Sequence, residues 1–119
     1  MRLRLLVVED EFITALMLQD MLAELGHEVV AAVGDAQSAV EAAQTHRPDL
    51  VLMDVTLGNG PDGIEAAREI RHSTGIPCIF VTAYSDKAVR QRAETVSPLG
   101  FVLKPFSTKE IKAALSGAF

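Results

Sequence analysis

Apolar residues in this chain come in short blocks separated by longer amphipathic stretches. Apolar-rich runs occupy residues 5–8, 27–33, 50–53, 78–82 and 101–104. Each is bounded by charged or turn-forming residues and reads as a strand, and the run 50–53 reads as one buried on both faces. The intervening stretches carry helical spacing. Residues 11–25 place Phe12, Ala15, Leu16, Leu22, Ala23 and Leu25 on the expected inward face, and Gly26 follows as a C-terminal stop. Asp35 is expected to cap a helix over 36–46 with Ala39, Val40, Ala42 and Ala43 inward, and Pro48 closes that region. A third helix is expected over about 64–72 with Ile64, Ala67 and Ile70 inward, broken by Gly75 and Pro77. A fourth, over 86–95 behind a Ser85 cap, is the most polar, with only Ala88, Val89 and Ala93 to pack. Ser107 and Glu110 form a capping box before the last helix, whose inward residues are Ile111, Ala114 and Leu115. Strands alternating with helices predict a parallel sheet with right-handed crossovers and helices on both faces.

Composition narrows the class. A chain of 119 residues has room for one core, and 49% hydrophobic against 23% charged residues excludes a disordered segment. Neither an internal repeat nor a linker divides it. The net charge of −5 argues against direct nucleic-acid binding, because backbone contact needs a basic surface. The lone cysteine, Cys78, lies inside an apolar run and reads as a small buried hydrophobe rather than a reactive thiol. One cysteine makes no internal disulfide, which fits a reducing compartment. His27, His46 and His72 are scattered, without metal-ligand spacing. No run is long enough to span a bilayer, and the opening apolar run stops at Glu9-Asp10-Glu11 with no cleavage site, so it is not a signal peptide. No membrane association and a cytoplasmic location are expected.

The chemistry gathers where the strands end. Asp54 closes the apolar run Leu50-Val51-Leu52-Met53 and is followed by Gly58-Asn59-Gly60-Pro61-Asp62-Gly63, which cannot be regular structure. Alone, Asp54 reads as a strand-terminating or turn residue. Its company changes that reading. The first strand ends in Glu9-Asp10, the fourth in Thr82 and the fifth in Lys104. In a parallel sheet these ends share one edge, where open α/β folds place their ligands. Three crowded carboxylates repel one another, and a divalent cation relieves this. Hard oxygen donors point to Mg²⁺ rather than zinc. A lysine and a hydroxyl opposite a carboxylate suit a phosphoryl group, and the carboxylate can itself be the nucleophile.

Val8-Glu9-Asp10-Glu11, Asp54, Val81-Thr82-Ala83 and Lys104-Pro105-Phe106 together resemble the receiver domain of bacterial two-component response regulators, over essentially the whole chain, 1–119. The resemblance implies a flavodoxin-like, doubly wound, five-stranded parallel sheet of order 2-1-3-4-5. It implies that Asp54 accepts a phosphoryl group from a phosphohistidine on a sensor histidine kinase or a histidine phosphotransfer protein. Asp10 would bind Mg²⁺ directly, Glu9 through water, and Asp54 and the Thr56 carbonyl would complete the protein ligands. Lys104 would hold a phosphoryl oxygen. Thr82 would move onto the phosphoryl group and Phe101 would turn inward behind it, so that the signal is read at the face of the fourth helix, fifth strand and last helix. The Lys104-Pro105 peptide would be cis. Thr56 and Tyr84 would flank the path of hydrolytic water. Neither orients water well, so slow self-dephosphorylation is expected, with Tyr84 as a shield. Such a protein receives a phosphoryl group and is not a dedicated enzyme. Its output would go to a downstream protein target or to an output domain absent from these residues.

One departure stands out. The family usually has proline four residues after the phosphoacceptor and glycine eight after it. Here Gly58 stands at the fourth position and the matching glycine, Gly63, is at the ninth, so the loop is one residue longer. Three other readings compete. A haloacid-dehalogenase-type phosphatase needs a second aspartate two residues on as general acid, and Thr56 stands there. A flavodoxin needs a phosphate loop after the first strand, where Glu9-Asp10-Glu11 would repel a phosphate. A degenerate receiver would bind partners without phosphorylation, but all the expected site positions are occupied.

Overall fold

The computed structural model describes residues 1–58, 60–83 and 86–119. The elements, in chain order, are β1 (Arg4–Val8), α1 (Phe12–Glu24), β2 (Glu28–Val33), α2 (Ala36–His46), β3 (Leu50–Met53), α3 (Gly63–Thr74), β4 (Cys78–Thr82), α4 (Lys87–Glu94), β5 (Gly100–Leu103) and α5 (Thr108–Ala118). The five strands form one parallel sheet in the order β2-β1-β3-β4-β5, as the resemblance implied.

Alternation along the strands divides the core into two layers. Leu5, Val7, Leu50, Leu52, Ile79 and Val81 pack with Leu18 and Leu22 of α1 and Ile111 and Leu115 of α5. Leu6, Val8, Val51, Met53 and Phe80 point the other way, against α2, α3 and α4. Full burial of each large side chain contributes about 1.5–3 kcal/mol, so these two layers carry most of the folding free energy. Cys78 is buried, and burial pushes its thiol up to about 12, with Arg71 opposing the shift. It is a core residue.

The helix ends follow local chemistry. Asp35 caps α2, accepting from the Ser38 N–H at 2.8 Å, and Ser107 with Glu110 forms the expected capping box on α5. Two expectations are corrected. The inward line of α1 is Leu18, Met21, Leu22 and Leu25, while Phe12, Leu16 and Ala23 are exposed. Residues 12, 13, 15, 16, 17 and 18 are all apolar, so periodicity alone did not select a face. On α4 the cap is Asp86, which accepts from the Val89 N–H at 2.9 Å. Ser85 lies outside the described residues. Ala88 is exposed, leaving Val89 and Ala93 to pack. The Lys104-Pro105 peptide is cis.

Candidate functional site

Hydrogen bonds that continue past the strands bring the polar residues together. The Glu9 N–H donates to Val33 O at 2.9 Å, the Asp54 N–H to Val8 O at 3.0 Å, and the Lys104 N–H to Thr82 O at 2.9 Å. Each functional residue is thus fastened to the neighbouring strand one step beyond the apolar run. The chain folds this way because the apolar residues fill the two core layers, and the first polar residue falls where the sheet meets solvent.

Side chains then converge. Lys104 Nζ donates to Asp54 Oδ2 at 2.8 Å and makes a close contact with Glu9 Oε1. The Glu11 carboxylate is 3.9 Å from the same ammonium. Asp54 Oδ1 accepts from the Thr56 N–H at 3.3 Å, and Glu9 Oε2 accepts from the Glu11 N–H at 3.0 Å. Glu9, Asp54 and Thr82 are buried, whereas Asp10 and Thr56 are exposed. One carboxylate oxygen each from Glu9, Asp10 and Asp54 lies within a set no wider than 4.8 Å. Among the described residues no histidine joins that set.

The electrostatics follow from this crowding. Burial pushes the Glu9 carboxyl up, opposed by its hydrogen bonds from Lys104 and Glu11, while the nearby Asp54 charge adds to the rise. Burial alone would lower Lys104, but its hydrogen bonds and charge attraction to Asp54 and Glu9 outweigh that and raise it. Three carboxylates gathered at one ammonium, with Glu11 at the rim, leave acidic groups in excess over basic ones. Such an excess suits a divalent cation. Mg²⁺ holds oxygens at about 2.1 Å, so opposite ligands stand about 4.2 Å apart. The oxygens of Glu9, Asp10 and Asp54 lie within 4.8 Å of one another, and the hard donor set suits that ion. The site therefore offers a buried carboxylate, an ammonium that could neutralise an anion, and donors for a hard metal.

The other expected residues are placed as follows. Thr82 ends β4 and is fully buried. Phe101 sits in β5, half-buried, with its ring 6.0 Å from Phe80 at 52°. Tyr84, the expected shield, lies outside the described residues. None of the three histidines belongs to the Glu9, Asp10 and Asp54 set. His27 Nδ1 accepts from the Leu3 N–H at 3.0 Å, and burial, helped by the N-terminal ammonium, holds its pKa down.

The pattern of the chain did not reveal three further features. Gly63 packs on the backbone of Asp54, where a Cβ would stand 1.8 Å from the Asp54 carbonyl oxygen. Asp62 caps α3, accepting from the Glu65 N–H at 3.0 Å, and also binds Arg92. The Arg90 guanidinium lies 4.2 Å over the Phe101 ring. The cap had a readable signal in the spacing Asp62-Gly63-Ile64-Glu65, and Gly63 stood out as the match to the family's glycine, though not for its contact with Asp54.

Comparison with known proteins agrees with this geometry. The sequence profile of the response regulator receiver domain matches residues 5–116. The transcriptional regulatory protein PdtaR of Mycobacterium tuberculosis is 40% identical over 112 residues, covering 94% of this chain and 54% of that protein. The phyllosphere-induced regulator PhyR of Methylorubrum extorquens is 31% identical over 119 residues, covering 99% of this chain and 44% of that protein. The chain thus spans about half the length of these curated relatives. Among solved structures, the signal receiver domain of a modulated diguanylate cyclase from Desulfovibrio desulfuricans superposes with a TM-score of 0.92 at 31% identity. That match covers 99% of this chain and 94% of the other.

Proposed function

The chain belongs to the response regulator receiver family, and from that premise we propose that Asp54 accepts a phosphoryl group from a phosphohistidine on a sensor histidine kinase or histidine phosphotransfer protein. The observation that carries this reading is the buried Asp54 carboxylate, held by Lys104 and grouped with Glu9 and Asp10. An Asp54 oxygen attacks phosphorus in line. The N–P bond breaks, its electron pair returns to the imidazole, and an acyl phosphate remains on Asp54. As the attacking Asp54 oxygen gives its negative charge to the new O–P bond, the Lys104 ammonium would pass from Asp54 to a phosphoryl oxygen. Thr82 supplies a hydroxyl to the phosphoryl group and Phe101 responds behind it. Asp10, Asp54 and the Thr56 carbonyl would hold Mg²⁺, with Glu9 in support. Bound there, the ion supplies charge neutralisation for the transferring group. Water later attacks the phosphorus, releasing inorganic phosphate and the free carboxylate. Thr56 is poorly suited to orient that water, so the phosphorylated form decays slowly, and the domain is not a dedicated enzyme.

The donor must carry its imidazole over the sheet edge, across the start of α1. Phe12, Ile13, Leu16 and Met17 are 44–75% exposed there. A helical phosphohistidine-bearing partner would cover them. The signal then passes to a downstream protein target or an output segment, without direct nucleic-acid contact by residues 1–119. No described helix is long and apolar enough to cross a membrane.

Intact mass after incubation with Mg²⁺ and acetyl phosphate tests the reading. The protein should gain one labile phosphoryl group, Asp54→Asn should gain none, and Asp10→Ala should require far more Mg²⁺. Labelling that persists in Asp54→Asn would sink the assignment. Steady donor consumption without a labelled form would favour a phosphatase. No gain at any Mg²⁺ concentration would favour a binding module that works without phosphorylation.

A further inference from the structure

Apolar contacts hold α4 only lightly. Ala93 is its one buried residue, and Val89 is half-buried. Polar contacts to α3 fasten the rest. Arg92 donates to Asp62 Oδ2 at 2.7 Å and lies 3.8 Å from Glu65. Just beyond α4, Thr95 Oγ1 accepts from Arg68 at 3.1 Å and Ser97 O accepts from Arg71 at 2.9 Å.

Asp62 is the junction between the two helices. Its Oδ1 caps the first turn of α3 while its Oδ2 grips Arg92 of α4. The next residue, Gly63, stands directly against Asp54. A Cβ on Gly63 would meet the Asp54 carbonyl oxygen at 1.8 Å, and the Gly63 N–H donates to Val55 O at 2.7 Å. A short route therefore runs from the Asp54 backbone through Gly63 and Asp62 to Arg92. It passes through neither Thr82 nor Phe101.

We propose that the Asp62–Arg92 ion pair is a second coupling element, which carries the state of Asp54 to α4 through the first turn of α3. The proposal rests on the reading of Asp54 as phosphoacceptor. Close-packed groups transmit displacement because they have no slack to absorb it. The Asp54 carbonyl has no free space toward Gly63, so any shift of that backbone moves the first turn of α3. Five buried residues make α3 a rigid body, whereas α4 has one. The displacement therefore appears at the Arg92 contact, where the ion pair favours one position of α4 over another. The pair is partly exposed, at 49% for Arg92 and 29% for Asp62, so the shift it commands is at most about fivefold in population. Asp62 and Arg92 are positioning residues in this scheme and touch no phosphoryl group.

The test follows the amide resonances of residues 87–94 in the full chain, before and after phosphorylation with acetyl phosphate and Mg²⁺, at matched phosphorylated fraction. Asp62→Asn keeps the cap, because asparagine caps as well as aspartate, and removes the charge. Arg92→Gln removes the partner instead, and Arg92→Lys is the conservative rescue. Asp62→Asn and Arg92→Gln should each cut the phosphorylation-induced population shift of α4 about two- to fivefold, and Arg92→Lys should restore most of it. The double variant Thr82→Ala/Asp62→Asn should fall below Thr82→Ala alone. Responses of α4 equal to wild type in both Asp62→Asn and Arg92→Gln, with Asp54 phosphorylated, would overturn the relay and leave the phosphoacceptor reading intact. A double variant no weaker than Thr82→Ala would do the same. Failure of the wild type to be phosphorylated would overturn both.

Discussion

Helices α3 and α4 pack on the same face of the sheet, yet different forces hold them. Over twelve residues α3 buries Gly63, Ile64, Ala66, Ala67 and Ile70, and Asp62 and a left-handed Gly75 close its ends. Over eight residues α4 buries only Ala93, and ion pairs, a cap and one cation–π contact supply the rest. Apolar burial is strong and insensitive to small charge changes, so it suits the helix that backs Asp54. Exposed ion pairs are worth about 0–1 kcal/mol each, so a modest stimulus is enough to change the position of a helix held by them. Local stability is thus graded across the molecule, high beside Asp54 and low at α4.

The sharpest way to break this contrast is at the tightest contact. Gly63→Ala forces a Cβ into the Asp54 carbonyl, and it should cost at least about 3 kcal/mol in denaturant unfolding. A loss under about 1 kcal/mol would show that the start of α3 is not rigidly seated. Next comes the packing itself. Ile70→Ala should cost about 2–5 kcal/mol, whereas Val89→Ala, half-buried on α4, should cost under about 1 kcal/mol. Comparable losses at the two sites would erase the distinction between the helices. Third, Asp62→Ala should lose about 1 kcal/mol with the cap, and Asp62→Asn much less. Equal melting temperatures for these two variants would mean that the cap contributes nothing to α3. The smallest effect belongs to Arg90→Gln, which should remove about 0.5 kcal/mol and shift the Phe101 ring resonances. Unmoved ring resonances would mean that the guanidinium does not rest on Phe101 in solution.

Much of the molecule is legible in the sequence for a definite reason. The five strands are short apolar blocks; the central three, β1, β3 and β4, are buried on both faces, while the edge strands β2 and β5 are only partly covered. The polar residues that end those blocks, Glu9, Asp54, Thr82 and Lys104, then fall on one sheet edge by parallel topology alone. Helix caps such as Asp35 and Ser107 are local, because donor and acceptor lie three residues apart.

What the tertiary structure alone decided has a different character. Along α1 the apolar residues are nearly continuous, so only the curvature and spacing of the sheet turned Leu18 and Leu22 inward and left Phe12 and Ile13 in solvent. The need for glycine at position 63 arises because the first turn of α3 lies on the Asp54 carbonyl, a contact that turn chemistry does not announce. The pairings of Arg92 with Asp62 and of Arg90 with Phe101 join residues far apart in the chain. Hydrophobic periodicity is a local signal that says whether a residue faces in or out. Which of several surface charges meet depends on how whole helices are placed on the sheet, and that placement is a property of the packed core.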